Sequence, residues 1–266
     1  MEPSPTIPPS IQTFSKILPT PIDIVPIEGR TTEGDGVSRP FRCLGEDGGE
    51  YFVKLKSIGW NHLVKEWIAG RLAQEMGLAA AEVAQVRIPR ELVAGNAEME
   101  RDLGHGVAFG SRRVEPAERL ALAFVPDDPD GRLSRILLFD WWIRNADRAL
   151  TATGGNPNLL WEIEPGRVVI FDHDNAFDDD FDTGQFWQYH ALRAHRSAWE
   201  SARRQEMTSW LEAGATCLDR IWDELPEEWL HDFHGDRRCT LDKVDLKSVL
   251  SSFDTNPDYW SLPAAP

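Results

Sequence analysis

Apolar β-branched residues cluster in IDIVPIE, residues 22–28, and predict a strand. A second strand is expected over 40–44, and the alternation in EYFVKLK, residues 50–56, predicts a third. Asp47-Gly48-Gly49 between them is a hairpin signal. The opening third therefore reads as an antiparallel hairpin pair, with a glycine-bearing turn over 29–36 after the first strand. Leu63, Trp67, Ile68, Leu72 and Met76 recur at helical spacing, which predicts a helix over 61–76 with Asn61 as N-cap and Gly77 just past its end. Further extended segments are expected over 82–88 and 104–111. The apolar run 132–144 predicts a helix ending before Asn145. Leu159–Glu162 and Val168–Phe171 read as two short strands joined by the turn Glu164-Pro165-Gly166. Beyond Thr183 the pattern is helical: 183 to about 214, then 217–225, then 243–253. Strands first and helices later predict an α+β fold with two lobes. The expected division is a proline-rich tail over 1–20, a β-rich first lobe over 21–114 and a mainly helical second lobe over 115–266.

Composition adds bounds. Eleven tryptophans in 266 residues predict a core built on large aromatic side chains. The net charge of −16 repels phosphate backbones, which argues against nucleic acid as the main partner and against docking on anionic membranes. No apolar run reaches the length of a membrane span, and MEPSPTIPPSIQTF has no signal-peptide pattern, so a cytoplasmic location is expected. Three scattered cysteines, Cys43, Cys217 and Cys239, support neither a disulfide framework nor a zinc site. His231 and His234 have too few partners for zinc and read as surface or capping residues.

Candidate chemistry concentrates in 144–177. Asp147 emerges where an apolar helix ends, in RNADR, and a carboxylate there can take the proton of an attacking hydroxyl. The bland alternative is a helix cap with Arg148 in a surface ion pair. Asn156 and Asn158 follow, and Asn158 directly precedes a strand. Asp172 closes the next strand, where a carboxylate can hold Mg²⁺ beside an amide oxygen. Taken alone, Asp172 is equally a turn residue. The order Asp, Asn, strand, turn, strand, Asp is that of a phosphotransferase site. Upstream, Lys54 lies among apolar residues of a strand, and Glu66 on the following helix is its natural partner. Lys56 is the rival on the same face, and a solvent-facing Lys54 is the plain alternative. Gly34, Gly36 and Ser38 sit in a loop able to cover phosphates, or simply in a hairpin loop. Asp174 is a candidate for a second metal, while Asp178, Asp179, Asp180 and Asp182 read as a solvated acidic loop.

The pieces YFVKLK, KEWIAGRLAQEMGL, GVAFGSR, FDWWIRNADR, NPNLLW and IFDHDNAF, in that order over roughly 22–190, resemble the short bacterial HipA-like kinases. The resemblance implies a two-lobed, protein-kinase-like fold and ATP- and Mg²⁺-dependent transfer of the γ-phosphate to a serine or threonine hydroxyl of a protein, autophosphorylation included. By that carry-over Lys54 binds phosphates, Glu66 orients it, Asp147 is the catalytic carboxylate, and Asn158 and Asp172 hold the metal. Phe109 and Gly110 would lie near the adenine. A toxin-like role with an antitoxin or operon partner also falls within what the resemblance implies. Two departures from the family pattern, the long ALTATGG spacer (149–155) and the acidic Glu33 and Asp35 in the glycine loop, leave room for a nucleotide-binding pseudokinase. A small-molecule kinase on the same fold is a further alternative.

Overall fold

A computed structural model describes residues 19–31, 39–55, 58–120, 125–150 and 155–262. The expected α+β composition is present. Five strands, β1 (Ile22–Arg30), β2 (Phe41–Gly45), β3 (Glu50–Lys54), β4 (Val83–Ile88) and β5 (Gly106–Arg112), close into a barrel in the order β1-β2-β3-β5-β4. This is more than a pair of hairpins, because β1 pairs in parallel with β4 through Ile22–Val86 and Asp23–Arg87. Closure removes the free strand edges. The register of β1 slips between Ile24 and Ile27, the stretch that contains Pro26, and again between Ile27 and Gly29. A proline has no N–H for the ladder, so a bulge is where a strand accommodates it. The β2–β3 turn forms as the sequence predicts. Gly48 takes a φ of +78°, and Asp47 accepts hydrogen bonds from the Gly49 N–H and the Tyr51 hydroxyl.

Helix α1 (Trp60–Glu75) follows β3 and packs between the barrel and later helices. It is buried over most of its circumference, with Leu63, Val64, Trp67, Ile68 and Leu72 all in the core. Gly70 permits the close approach to β4, since a Cβ there would lie 2.7 Å from a Val83 methyl. The helix ends as expected: Gly77, at φ +74°, donates to Gln74 O, and Leu78 donates to Ala73 O. Its start differs from expectation. Gly59 occupies the N-cap position, and Asn61 instead bonds Thr240 through both its amide nitrogen and its carbonyl oxygen. A tertiary cross-link has taken the side chain that would have capped the helix.

A short helix α2 (Arg90–Val93) precedes β5. Strands β6 (Ala117–Arg119), β7 (Leu159–Glu162) and β8 (Arg167–Ile170) form a second, antiparallel sheet. That sheet is tied to the segment after α1, where Ala81 N donates to Ile170 O and Ile170 N to Ala79 O. Helix α3 (Arg132–Trp142) runs through the core, its first N–H groups received by both oxygens of Asp128. Helices α4 (Thr183–Tyr189), α5 (Arg204–Thr216), α6 (Leu218–Asp223), α7 (Glu227–Leu230), α8 (Lys243–Leu250) and α9 (Ser252–Thr255) complete the fold.

The single helix expected from Thr183 to about residue 214 is broken after Tyr189. Leu150 N donates to Tyr189 O and Ala191 N donates to Arg148 O, so this segment pairs with the loop after α3 instead of continuing its helix. Aromatic side chains anchor the core as the composition predicts: Trp67, Trp142 and Trp229 are fully buried, and Trp67 meets Trp229 edge to face at 6.4 Å. The three cysteines are free. Among the described residues no helix is long and apolar enough to cross a membrane.

Candidate active site

Strand β3 sends Tyr51 and Val53 into the barrel, so the period of two turns Phe52 and Lys54 to the other face. That face opens on a cleft of about 530 Å³ between the barrel and the β6-β7-β8 sheet. Its apolar walls include Phe52, Ala81, Phe109, Leu160 and Phe171, and its polar end holds Lys54, Glu66 and Asp172.

Lys54 is buried and bonded to three carboxylates. Its Nζ lies 2.7 Å from Glu66 Oε1, 2.7 Å from Asp172 Oδ1 and 3.3 Å from Asp174 Oδ2. The second Glu66 oxygen accepts the backbone N–H of His173 at 2.8 Å, which fixes the carboxylate between helix and loop. Burial disfavours the ammonium, but the three carboxylates outweigh it and hold Lys54 charged, well above its ordinary range. Burial, with Asp172 and Asp174 nearby, pushes Glu66 up against the pull of Lys54. For Asp172 burial is outweighed by the Lys54 charge, and its pKa is lowered. One cation among three carboxylates leaves the cluster short of positive charge.

Asp147 sits in the loop after α3 with its side chain open to solvent. Its Oδ2 accepts from Asn158 Nδ2 at 3.2 Å, and its backbone N–H donates to Asn145 Oδ1. Partial desolvation and the neighbouring Asp172 charge raise its pKa. A raised carboxylate beside open solvent suits a group that accepts a proton from an incoming hydroxyl.

Asn158 is buried, and its Oδ1 has no hydrogen-bond partner. An orphaned amide oxygen is costly unless a cation or water meets it. Glu66, Asp172 and Asp174 offer carboxylate oxygens within 4.8 Å of one another. These are hard oxygen donors of the kind Mg²⁺ takes, and the residues present fit that ion. Asn156 is turned elsewhere, its Oδ1 accepting from Arg119 at 2.8 Å, so Asn158 is the asparagine that meets Asp147. Asn158 and Asp172 both adopt positive φ, +52° and +59°, a conformation that Asn and Asp tolerate better than most residues.

Phe109 lines the cleft. Gly110, the other residue expected near the adenine, does not line it. Strand alternation turns it into the barrel, where a Cβ would meet Val86 and Tyr51, and it forms no part of the cleft wall. Gly34, Gly36, Ser38 and Lys56 lie outside the described residues. Arg30, Thr31, Pro40 and Arg42, which flank the glycine loop, do line the cleft. Asp178 to Asp182 form local turns, with Asp182 capping α4 through Gln185 N. His231 bonds Glu227 and His234 stacks on Phe233, both on the surface.

The sequence does not single out Asp140, Asn145, His173 or His190, all of them buried polar residues behind the cleft. Asp140 accepts from Arg148, His190 and Asn145 at once. Burial pushes His173 down to about 3 and also lowers His190. Each imidazole is harder to protonate in the folded state, so below pH 6.5 the unfolded chain takes up protons more readily than the folded chain. The contribution of each is complete above pH 6.5 and declines as pH falls, for His173 by up to about 1.4 kcal/mol per pH unit. An NMR pH titration should show the His173 ring still neutral at pH 5, and a titration midpoint near the ordinary 6.5 would refute its burial as a neutral imidazole.

No curated protein matches the sequence. Among solved structures the chain is similar to the proinflammatory kinase CtkA of Helicobacter pylori, with a TM-score of 0.45 and 13% identity over 88% of this chain and 92% of that one. A family profile described as HipA-like kinase matches residues 24–263. With that match spanning the cleft and every residue described around it, the chain belongs to the HipA-like kinase family.

Proposed function

We propose that the protein is an ATP- and Mg²⁺-dependent kinase that transfers the γ-phosphate to a serine or threonine hydroxyl of a protein. The barrel side, residues 21–114, serves as the nucleotide-covering lobe, and residues 115–266 supply the second. The observation that carries the reading is the meeting of Lys54, Glu66, Asp172 and Asp174 at the polar end of one cleft, next to the Asp147–Asn158 pair.

The apolar cleft between Phe109 and Leu160 takes the adenine, which places the phosphates at Lys54. Lys54 gives a fixed positive charge to the α- and β-phosphates, and Glu66 holds its ammonium in place. Asn158 Oδ1 and Asp172, with Asp174 beside it, hold Mg²⁺, which when bound neutralises phosphate charge. Asp147 orients the acceptor hydroxyl and receives its proton. The hydroxyl oxygen bonds to the γ-phosphorus as the bond to the β-phosphate bridging oxygen breaks, and ADP leaves. The open position of Asp147 favours an acceptor presented from outside, as a protein side chain would be.

Incubation of the purified chain with γ-labelled ATP and Mg²⁺, alone and with cell lysate, tests this directly. The expected result is label on serine or threonine, abolished by EDTA. Absence of transfer, together with no change in melting temperature on adding ATP and Mg²⁺, would overturn it.

A further inference from the structure

Arg148 is absent from the roles assigned above, yet it is the most connected side chain behind the site. It is wholly buried. Nε and Nη2 hold Asp140 at 2.7 and 3.2 Å. Nη1 donates to the backbone carbonyls of Asn158 at 2.8 Å, Phe171 at 3.3 Å and Pro157 at 3.4 Å. These carbonyls belong to the two chain segments that carry the proposed metal ligands. One is Asn158's own, and another is on the residue before Asp172. Phe171 N also donates to Asn158 O, so the two segments meet at the guanidinium.

The far side of the guanidinium is held just as firmly. Asp140 Oδ2 is 3.0 Å from His190 Nε2, and His190 Nδ1 accepts the Leu192 N–H at 3.0 Å. That acceptor role leaves the imidazole proton on Nε2, where it donates to Asp140. Asn145 Nδ2 adds a third donor to Asp140, and the same Asn145 receives the Asp147 N–H. A buried ion pair is by itself a weak source of stability. What this one provides is direction, because the planar fork of arginine reaches a carboxylate on one side and several carbonyls on the other, a reach lysine lacks.

We infer that Arg148, oriented by Asp140 and His190, is a positioning residue that sets Asn158 and Asp172 at the mutual geometry their metal requires. The inference rests on the kinase reading. Without the clamp, two residues in left-handed backbone conformations would relax, and the metal ligands would part without losing their chemistry.

The test uses the full chain saturated with a non-hydrolysable ATP analogue, with Mn²⁺ binding followed by electron paramagnetic resonance. Arg148→Lys keeps the charge on Asp140 but loses the fork. The expected result is a folded protein whose Mn²⁺ Kd rises at least tenfold, with a parallel rise in the Mg²⁺ concentration for half-maximal transfer. His190→Phe, which leaves every Arg148 atom in place, should raise the Mn²⁺ Kd at least threefold. His190→Gln, which can still donate to Asp140, should recover most of that loss. A folded Arg148→Lys with the wild-type Mn²⁺ Kd overturns the inference. If that variant does not fold, equal Kd values for the two His190 variants and wild type do so. Failure of wild type to bind both analogue and Mn²⁺ would count against the kinase reading instead.

Discussion

Asp147→Asn lowers kcat by about a thousandfold, the middle of the range for losing a general base, while the KM for ATP stays close to wild type. Asn158 Nδ2 still finds an oxygen in the new amide, so the loop keeps the hydrogen bond it has now. What disappears is the group able to take the proton. Desolvation and the Asp172 charge already make this carboxylate more basic than usual, so the wild-type residue is a better acceptor than a free aspartate. Single-turnover transfer from labelled ATP separates the two parameters. Activity within tenfold of wild type would remove Asp147 from the chemistry.

Lys54→Met acts on both folding and binding. The ammonium is the shared partner of Glu66, Asp172 and Asp174, and its loss leaves three carboxylates facing one another. Breaking a buried ion pair from one side costs about 3 kcal/mol at the low end of its range, which is apt here because Asp172 and Asp174 keep some contact with water. That corresponds to a fall of roughly 6–12 °C in Tm for a chain of this size. Millimolar Mg²⁺ should recover part of the loss, since it offers the cluster a replacement cation, and ATP should no longer add stability. An unchanged melting temperature in the metal-free variant would show that the three contacts to Lys54 carry no weight.

Much of the fold was legible because its signals are local. The Asp47-Gly48-Gly49 turn, the Gly77 helix end and the β7–β8 hairpin each depend on a few neighbouring residues, and each forms where expected. Closure of the barrel was not legible. It rests on two parallel pairings between β1 and β4, strands separated by α1, and no short window contains that information. The break after Tyr189 was hidden for the same reason, since its cause is the backbone of Arg148 and Leu150.

The candidate site divides along the same line. Order along the chain determined the kinase reading: a strand lysine, a helix glutamate, then Asp147, Asn158 and Asp172 in sequence. Composition determined the acidic charge and the aromatic core. Only the tertiary structure decided that Asn158 and not Asn156 meets Asp147, because one side chain is buried against the loop and the other is held by Arg119. It also placed Asp174 on Lys54 and turned Gly110 into the barrel. Arg148 is the sharpest case. In the sequence it is the neighbour of Asp147 and invites a local ion pair. In the fold its partners are Asp140, eight residues back, and the carbonyls of residues ten and twenty-three ahead. A side chain's chemistry is written in its residue type, but its partners are chosen by which backbones packing brings within hydrogen-bond reach.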